Sequence, residues 1–392
     1  MSFPDRPIRP DAQPMRPDDH GGDLASHPDI RLDFSVNVNP LSVPARVIEA
    51  LIDDLVRAGE GGGGDGSNGL VGCELSGLAG GPFEPSPCSA SSIARYPDPQ
   101  CRELRHALAG HHGVHPSQVV CGNGACDLIH RAVVAANPRR VLIPVPTFTE
   151  YERSARFCGA EVTRHPLDPP LFDPAESLLS AITPGIDLVF CCNPNNPTGR
   201  LVDPALLRRL VERTRAAGAV LVVDECFLPF TDAPSLIPGI ESHVVVLRAF
   251  TKTHALPGLR LGYAVCGDGR LAAAMADQPP RWNVSGPAQA AGLAALACSG
   301  YEERTKSVVA AERTYLTEAL TQLGLDVVPS HANFILFRCE TDLFRPLTDQ
   351  GILIRSCANF PGLDPSYWRV GLHRHADNVI LVDALRKVLN DC

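Results

Sequence analysis

Five apolar runs punctuate the middle of this chain, and they constrain its fold more than any other feature. They are RVLIPVP (140–146), DLVFCCNP (187–194), AVLVVDECF (219–227), HVVVLRAF (243–250) and LGYAVCG (261–267). None alternates apolar with polar residues, as a strand with one wet face would. A strand that is apolar on both faces must be covered on both, which is the condition of parallel strands layered between helices. The connections agree. PALLRRLVERTRAAG (204–218) places Leu206, Leu207, Leu210 and Val211 on one helical face. Helices are also expected at 101–113 and 125–136, either side of a short strand at 119–121. The expected core is therefore α/β, a doubly wound and mostly parallel sheet.

From about residue 280 the pattern changes. A long helical stretch at 301–324 precedes strand-like runs at 332–339, 352–357 and 367–372, and a last helix follows from 378. This predicts a large domain over 46–279 and a smaller α+β domain over 280–392, which an arm at 20–45 joins. Residues 1–19 are rich in proline and charge, and 59–92 in glycine, serine and proline, without periodicity. Such segments bury too little apolar surface to offset their ordering entropy, so a disordered tail and a flexible insertion are expected.

Composition excludes several functions. A formal charge of −9 disfavours nucleic acid as partner. No apolar run approaches a membrane span, and the first residues lack the apolar segment of a signal peptide, so a cytoplasmic protein is expected. The 14 cysteines include no C-x-x-C pair. They read as small buried apolar residues rather than as disulfides or ligands, and no metal is expected.

In open parallel sheets ligands bind beyond the carboxyl ends of the strands, and the chemistry-bearing residues fall there. GNGACD (122–127) opens a helix, whose free N–H groups suit a phosphate. A dinucleotide fingerprint would need a third glycine where Asp127 stands. NPNNPTG (193–199) offers rigid turns and amide donors. Asp224 and Glu225 end one strand, and Thr251 and Lys252 follow another, with Arg260 eight residues after Lys252. Only three of the 35 basic residues are lysine, at 252, 306 and 387. Arginine stays protonated, whereas a desolvated lysine can lose its proton and act as a nucleophile. A phosphate cradle, an amide donor, a buried carboxylate and a lysine are what pyridoxal phosphate requires. Its aldehyde needs an amine, its ring nitrogen a carboxylate, and its phosphate N–H groups and a cation.

The run NPNNPTG…VVDE…FTKTHALPGLRLGY resembles the fold-type I pyridoxal-phosphate enzymes of the aminotransferase superfamily, especially the histidinol-phosphate aminotransferase branch. The resemblance implies that Lys252 bonds the cofactor's aldehyde and then moves the proton. It implies Asp224 at the ring nitrogen, Asn196 at the phenolic oxygen, and Gly124, Ala125, Thr251 and Arg260 around the phosphate. Phe148 would stack on the ring. Tyr96, in RYPDP, would reach the phosphate of a partner subunit, which implies a homodimer with shared active sites. Arg369, in YWRVGL, matches the family's carboxylate-binding arginine, and Arg355, in ILIRSC, a position that contacts substrate phosphate.

HGGD (20–23), LDFSVNVNPL (32–41), RYPDPQC, GNGACD and ILIRSCANFPGLDPSYWRV (352–370) are similar to the L-threonine-O-3-phosphate decarboxylase branch of cobalamin biosynthesis. So is Phe227, where the aminotransferases usually carry a tyrosine. This similarity implies loss of the α-carboxylate of O-phospho-L-threonine as CO2, leaving (R)-1-amino-2-propanol phosphate. Arg355, Asn39 and His20 would anchor the phosphate. A histidinol-phosphate or related aminotransferase uses the same cofactor residues and stays open as the alternative. A non-catalytic ligand sensor on the same fold is the remaining reading, against which Lys252 and Asp224 together argue.

Overall fold

The structure is a computed structural model that describes residues 21–60 and 91–390. His20, the tail at 1–19 and all but the flanks of the 59–92 segment lie outside the described residues. Strand β1 is Leu32–Asp33, and helix α1 runs Ala45–Glu60. Then come α2 (Arg102–His112), β2 (Val119–Gly122), α3 (Ala125–Ala136), β3 (Arg140–Val145), α4 (Glu150–Phe157) and β4 (Glu161–Pro166). Next are α5 (Glu176–Ala181), β5 (Leu188–Cys192), α6 (Pro204–Ala217), β6 (Val220–Asp224), β7 (Val244–Ala249) and α7 (Phe250–Thr253). Strand β8 (Gly262–Cys266), α8 (Gly269–Ala276) and α9 (Gly286–Leu296) complete this part.

Seven strands form one sheet in the order β2-β8-β7-β6-β5-β3-β4. The pairs β7–β6, β6–β5, β5–β3 and β3–β4 are parallel, and β8 runs antiparallel to both its neighbours. The continuous apolar runs are explained by the two faces. Leu142, Val189, Cys191, Leu221, Val223, Val244 and Val246 pack into one core. Their chain neighbours Val141, Ile143, Leu188, Phe190, Val222, Val245 and Leu247 pack into another. Successive residues point to opposite faces of a strand, so both sets must be apolar when helices cover both faces.

The C-terminal part holds α10 (Tyr301–Gln322), β9 (Asp326–Val327), β10 (Phe334–Arg338), α11 (Phe344–Thr348), β11 (Ile352–Leu353), β12 (Arg355–Ser356), β13 (Tyr367–Gly371) and α12 (His375–Asn390). Its antiparallel sheet has the order β12-β13-β10-β9. The run at 352–357 divides: β11 pairs in parallel with β1 of the N-terminal arm, while β12 pairs with β13. The arm is seated in this part of the core, where Phe34 is fully buried with Phe334, Phe337 and Leu385. The division at 280 needs moving. Val284 and the α9 residues Ala288, Ala291 and Ala295 pack into the core of the seven-stranded sheet, so we place the boundary after α9. Among the described residues no helix is long and apolar enough to cross a membrane.

The two faces of α12 make a direct test. Leu385 is fully buried and Ile380 is 49% exposed. Leu385→Ala is expected to cost about 2–5 kcal/mol, and Ile380→Ala about 0.5 kcal/mol or less. Urea unfolding midpoints of the two variants measure the difference.

Candidate active site

A cavity of about 610 Å3 opens beyond the carboxyl ends of β5, β6 and β7. It gathers Lys252, Asp224, Asn196, Thr251, Arg260 and Phe148 from separate parts of the sequence, with Ala125, Arg355 and Arg369. A neighbouring cavity of about 740 Å3 shares Gly21, Ser35 and Arg355 with it, but is lined by neither the lysine nor Asp224.

Lys252 lies on α7, the short turn directly after β7. Burial lowers its pKa from the ordinary 10.5 to about 8, and Arg369 and Arg260 add to the fall by repelling its positive form. The amine is thus close to its neutral, nucleophilic form at physiological pH. Asp224 is the last residue of β6 and 4% exposed. Its Oδ1 accepts the Cys226 N–H at 2.9 Å and its Oδ2 accepts the Tyr151 hydroxyl at 2.6 Å. The adjacent Glu225 faces elsewhere: it is paired with Arg248 at 2.9 Å and accepts from the Ser235 hydroxyl and the Leu236 N–H. Of the two carboxylates only Asp224 is left for a ligand.

The phosphate cradle is built at the N-terminus of α3. Gly124 caps it with φ 82°, and a Cβ there would stand 2.7 Å from Nη2 of Arg260. Only glycine both adopts that backbone and leaves the guanidinium its place. The Thr251 side chain, buried and on the cavity wall, completes a set of hydroxyl, guanidinium and helix N–H groups. That set suits a phosphate dianion.

The opposite wall comes from the C-terminal sheet. Arg369 is buried, with Nη1 donating to Asn196 Oδ1 and Nη2 to the Ser35 carbonyl at 2.8 Å. Burial lowers its pKa to about 10. Its Nε has no hydrogen-bond partner, and no carboxylate pairs with it among the described residues. Arg355 donates to Asn359 Oδ1 at 2.7 Å and lines both cavities. The two arginines stand directly opposite each other in the β12–β13 pair.

Not every expected residue is here. Asn39 is buried, but its amide donates to the Thr253 carbonyl at 2.6 Å and to the Thr305 hydroxyl at 3.0 Å, while its oxygen accepts the Leu41 N–H. It braces the Lys252 turn from outside and is not part of the cavity lining. Asn37, two residues earlier, lines the cavity with its buried Oδ1 unpartnered. The motif SVNVNP offered two asparagines and no means of telling which faces inward. Tyr151 was also not foreseen, although its tight bond to Asp224 defines the site. Tyr96 is 83% exposed beside Trp282, with ring centroids 5.4 Å apart, and does not line the cavity of its own chain. Phe227 presents an apolar ring 5.9 Å from Lys252 Nζ and meets Phe334 edge-on.

The aminotransferase class I and II family matches residues 30–385. The chain belongs to that family. It is 38% identical over 385 residues to threonine-phosphate decarboxylase of Salmonella typhimurium, covering 94% of this chain and 96% of that enzyme. Histidinol-phosphate aminotransferase of Nitratidesulfovibrio vulgaris is 35% identical over 306 residues, covering 75% and 81%. Among solved structures, histidinol-phosphate aminotransferase from Clostridium acetobutylicum superposes with a TM-score of 0.78 at 27% identity, over 92% of this chain and all of that one. The fold is the fold-type I architecture and the cofactor is pyridoxal phosphate. The donor set fits that group: a lysine amine for its aldehyde, a carboxylate for its ring nitrogen and a built anion cradle.

The lowered pKa has a direct readout. In the apoprotein, labelling of Lys252 by an amine-reactive reagent should rise with pH to half its maximum near pH 8, because the neutral amine is the reactive form. An ordinary lysine would reach that point near 10.5. Rates localised by peptide mass spectrometry check the expectation.

Proposed function

We propose that this enzyme decarboxylates O-phospho-L-threonine, releasing CO2 and (R)-1-amino-2-propanol O-phosphate, the linker of the cobalamin nucleotide loop. The observation that carries the reading is the pair of buried arginines on adjacent strands. Arg355 and Arg369 are paired across β12 and β13 and line the same cavity as Lys252, from its opposite wall. A small amino acid bearing two anions, a carboxylate and a phosphate, suits two guanidinium forks at that spacing. The decarboxylase relative also aligns over 94% of this chain, against 75% for the aminotransferase relative.

Bound pyridoxal phosphate supplies an electron sink for the pair left at the substrate α-carbon when one of its bonds breaks. The protein decides which bond. Arg355 and Arg369 would hold the two anionic groups, and the substrate amine would take the place of the Lys252 amine at the cofactor's aldehyde. Three attachments fix how the α-carbon is turned, and the bond that breaks is the one standing perpendicular to the ring. Asp224 would keep the ring nitrogen protonated, Asn196 would meet the phenolic oxygen, and Phe148 would cover a ring face. Gly124, Ala125, Thr251 and Arg260 would hold the cofactor phosphate, and Asn37 replaces Asn39 as the substrate-facing asparagine of the arm. Lys252, whose burial favours the neutral amine, would hold a proton for the α-carbon and give it up.

The homodimer and the cytoplasm belong to the same reading. Tyr96 would serve the neighbouring subunit's phosphate site, which its exposure on its own chain supports. The α1 residues Ile48, Ile52, Leu55 and Val56 leave an apolar stripe exposed, as a subunit contact requires. The described cysteines are all free thiols, in keeping with a reducing compartment.

Purified holoenzyme given O-phospho-L-threonine should release one CO2 per substrate consumed, and Lys252→Ala should release none. Absence of CO2, together with transfer of the amino group to 2-oxoglutarate, would move the assignment to the histidinol-phosphate aminotransferase type. Arg355→Gln should raise KM for phosphothreonine by roughly a hundredfold, the scale of a lost buried charge contact. Its spectrum with bound cofactor should match the wild type, because the cofactor's own contacts are untouched.

A further inference from the structure

Both oxygens of the Asp224 carboxylate are already held by the protein. Oδ1 takes the Cys226 N–H at 2.9 Å, and Oδ2 takes the Tyr151 hydroxyl at 2.6 Å. Bonds from a neutral donor to an ionised oxygen are short and about twice as strong as neutral ones. Tyr151 is itself immobilised. It is fully buried, its ring lies parallel to Phe190 with centroids 4.7 Å apart, and it meets Phe148 edge-on at 5.6 Å. Burial, followed by the charge of Asp224, pushes the phenol far above its ordinary range, so the hydroxyl stays a donor wherever the protein is folded.

We infer that Tyr151 is a positioning residue for the cofactor ring, setting the aim of Asp224 toward the ring nitrogen and steadying Phe148 against the ring face. A carboxylate held at one oxygen can rotate about its Cβ–Cγ bond, whereas one held at both cannot. The remaining lone pairs then face the cavity in one orientation. Neither effect requires Tyr151 to touch substrate. The inference rests on the cofactor assignment and extends it to a residue of α4, 73 positions from Asp224.

The test is a double-mutant cycle read by pyridoxal phosphate binding to the apoprotein, followed by absorbance. Y151F removes one oxygen and keeps the ring. Its Kd for the cofactor should rise by about tenfold, and kcat should fall while KM for phosphothreonine stays within about twofold. In a D224N background the same substitution should change Kd by less than about twofold, because the bond it breaks no longer ends on a charge. Equal losses in both backgrounds would mark a packing role and overturn the inference, as would a Y151F protein that binds as tightly as wild type. Y151H, which keeps a ring N–H donor, covers the case in which Y151F folds poorly. It should bind the cofactor more tightly than Y151F, and weaker or equal binding counts against the inference. A wild-type apoprotein that takes up no cofactor would overturn the underlying assignment as well.

Discussion

Three parallel strands end at one level because Cys192, Asp224 and Leu247 stand side by side in the sheet. The rest of the site depends on that register. It places NPNNPTG, the Asp224 carboxylate and the Lys252 turn along one rim, although 56 residues of chain separate Asn196 from Lys252. A slip of one residue in β6 would turn Asp224 to the other face of the sheet and bring the apolar Val223 into its place. The register in turn is set by burial. Leu188–Cys192 of β5 and Val220–Val223 of β6 alternate between the two cores, so a one-residue slip would exchange every side chain between them.

Positive charge is in excess around the cavity. Arg260, Arg355, Arg369 and Lys252 meet there, and Asp224 is the buried carboxylate that faces them. Burying charge without a partner is costly, and proteins accept the cost where a ligand supplies the counter-charge. Arg369 shows the strain most plainly, with Nε unpartnered and a pKa held down to about 10 by burial. The same excess lowers Lys252, since Arg369 and Arg260 oppose its protonation. An anion on either arginine would relieve that repulsion.

The sheet, Lys252 and Asp224 were legible in the sequence because each breaks a local rule. A charged residue ending an apolar run is conspicuous, and so is a lysine in a chain that otherwise uses arginine. Strand β4 escaped the apolar-run pattern because it lies at the sheet edge and is mostly exposed. Ala-rich α9 carries no mark in its sequence of the sheet it packs on, which is the seven-stranded one. The run at 352–357 reads as one strand, yet it changes partner midway, from the arm to β13, and pairing is a property of two segments. Tyr151 and Asn37 were missed for the same reason. What distinguishes them is a distance to residues far along the chain and a direction of approach, neither of which is written locally.

The N-terminal arm joins these parts into one device. Gly371 donates its N–H to the Phe34 carbonyl, and a Cβ at 371 would collide with the Val36 carbonyl, so the arm lies directly on β13 beside Arg369. Arg369 then donates to the Ser35 carbonyl, and His373 contacts the Asp33 carbonyl at 3.0 Å. Four residues on, Asn39 grips the Thr253 carbonyl, one residue past the lysine. Within seven residues the chain thus touches the arginine that would hold the substrate carboxylate, presents Asn37 to the cavity and braces the turn that carries Lys252. The arm thus ties β13 to the turn that carries Lys252, which gives the buried Asn39 a structural role outside the cavity.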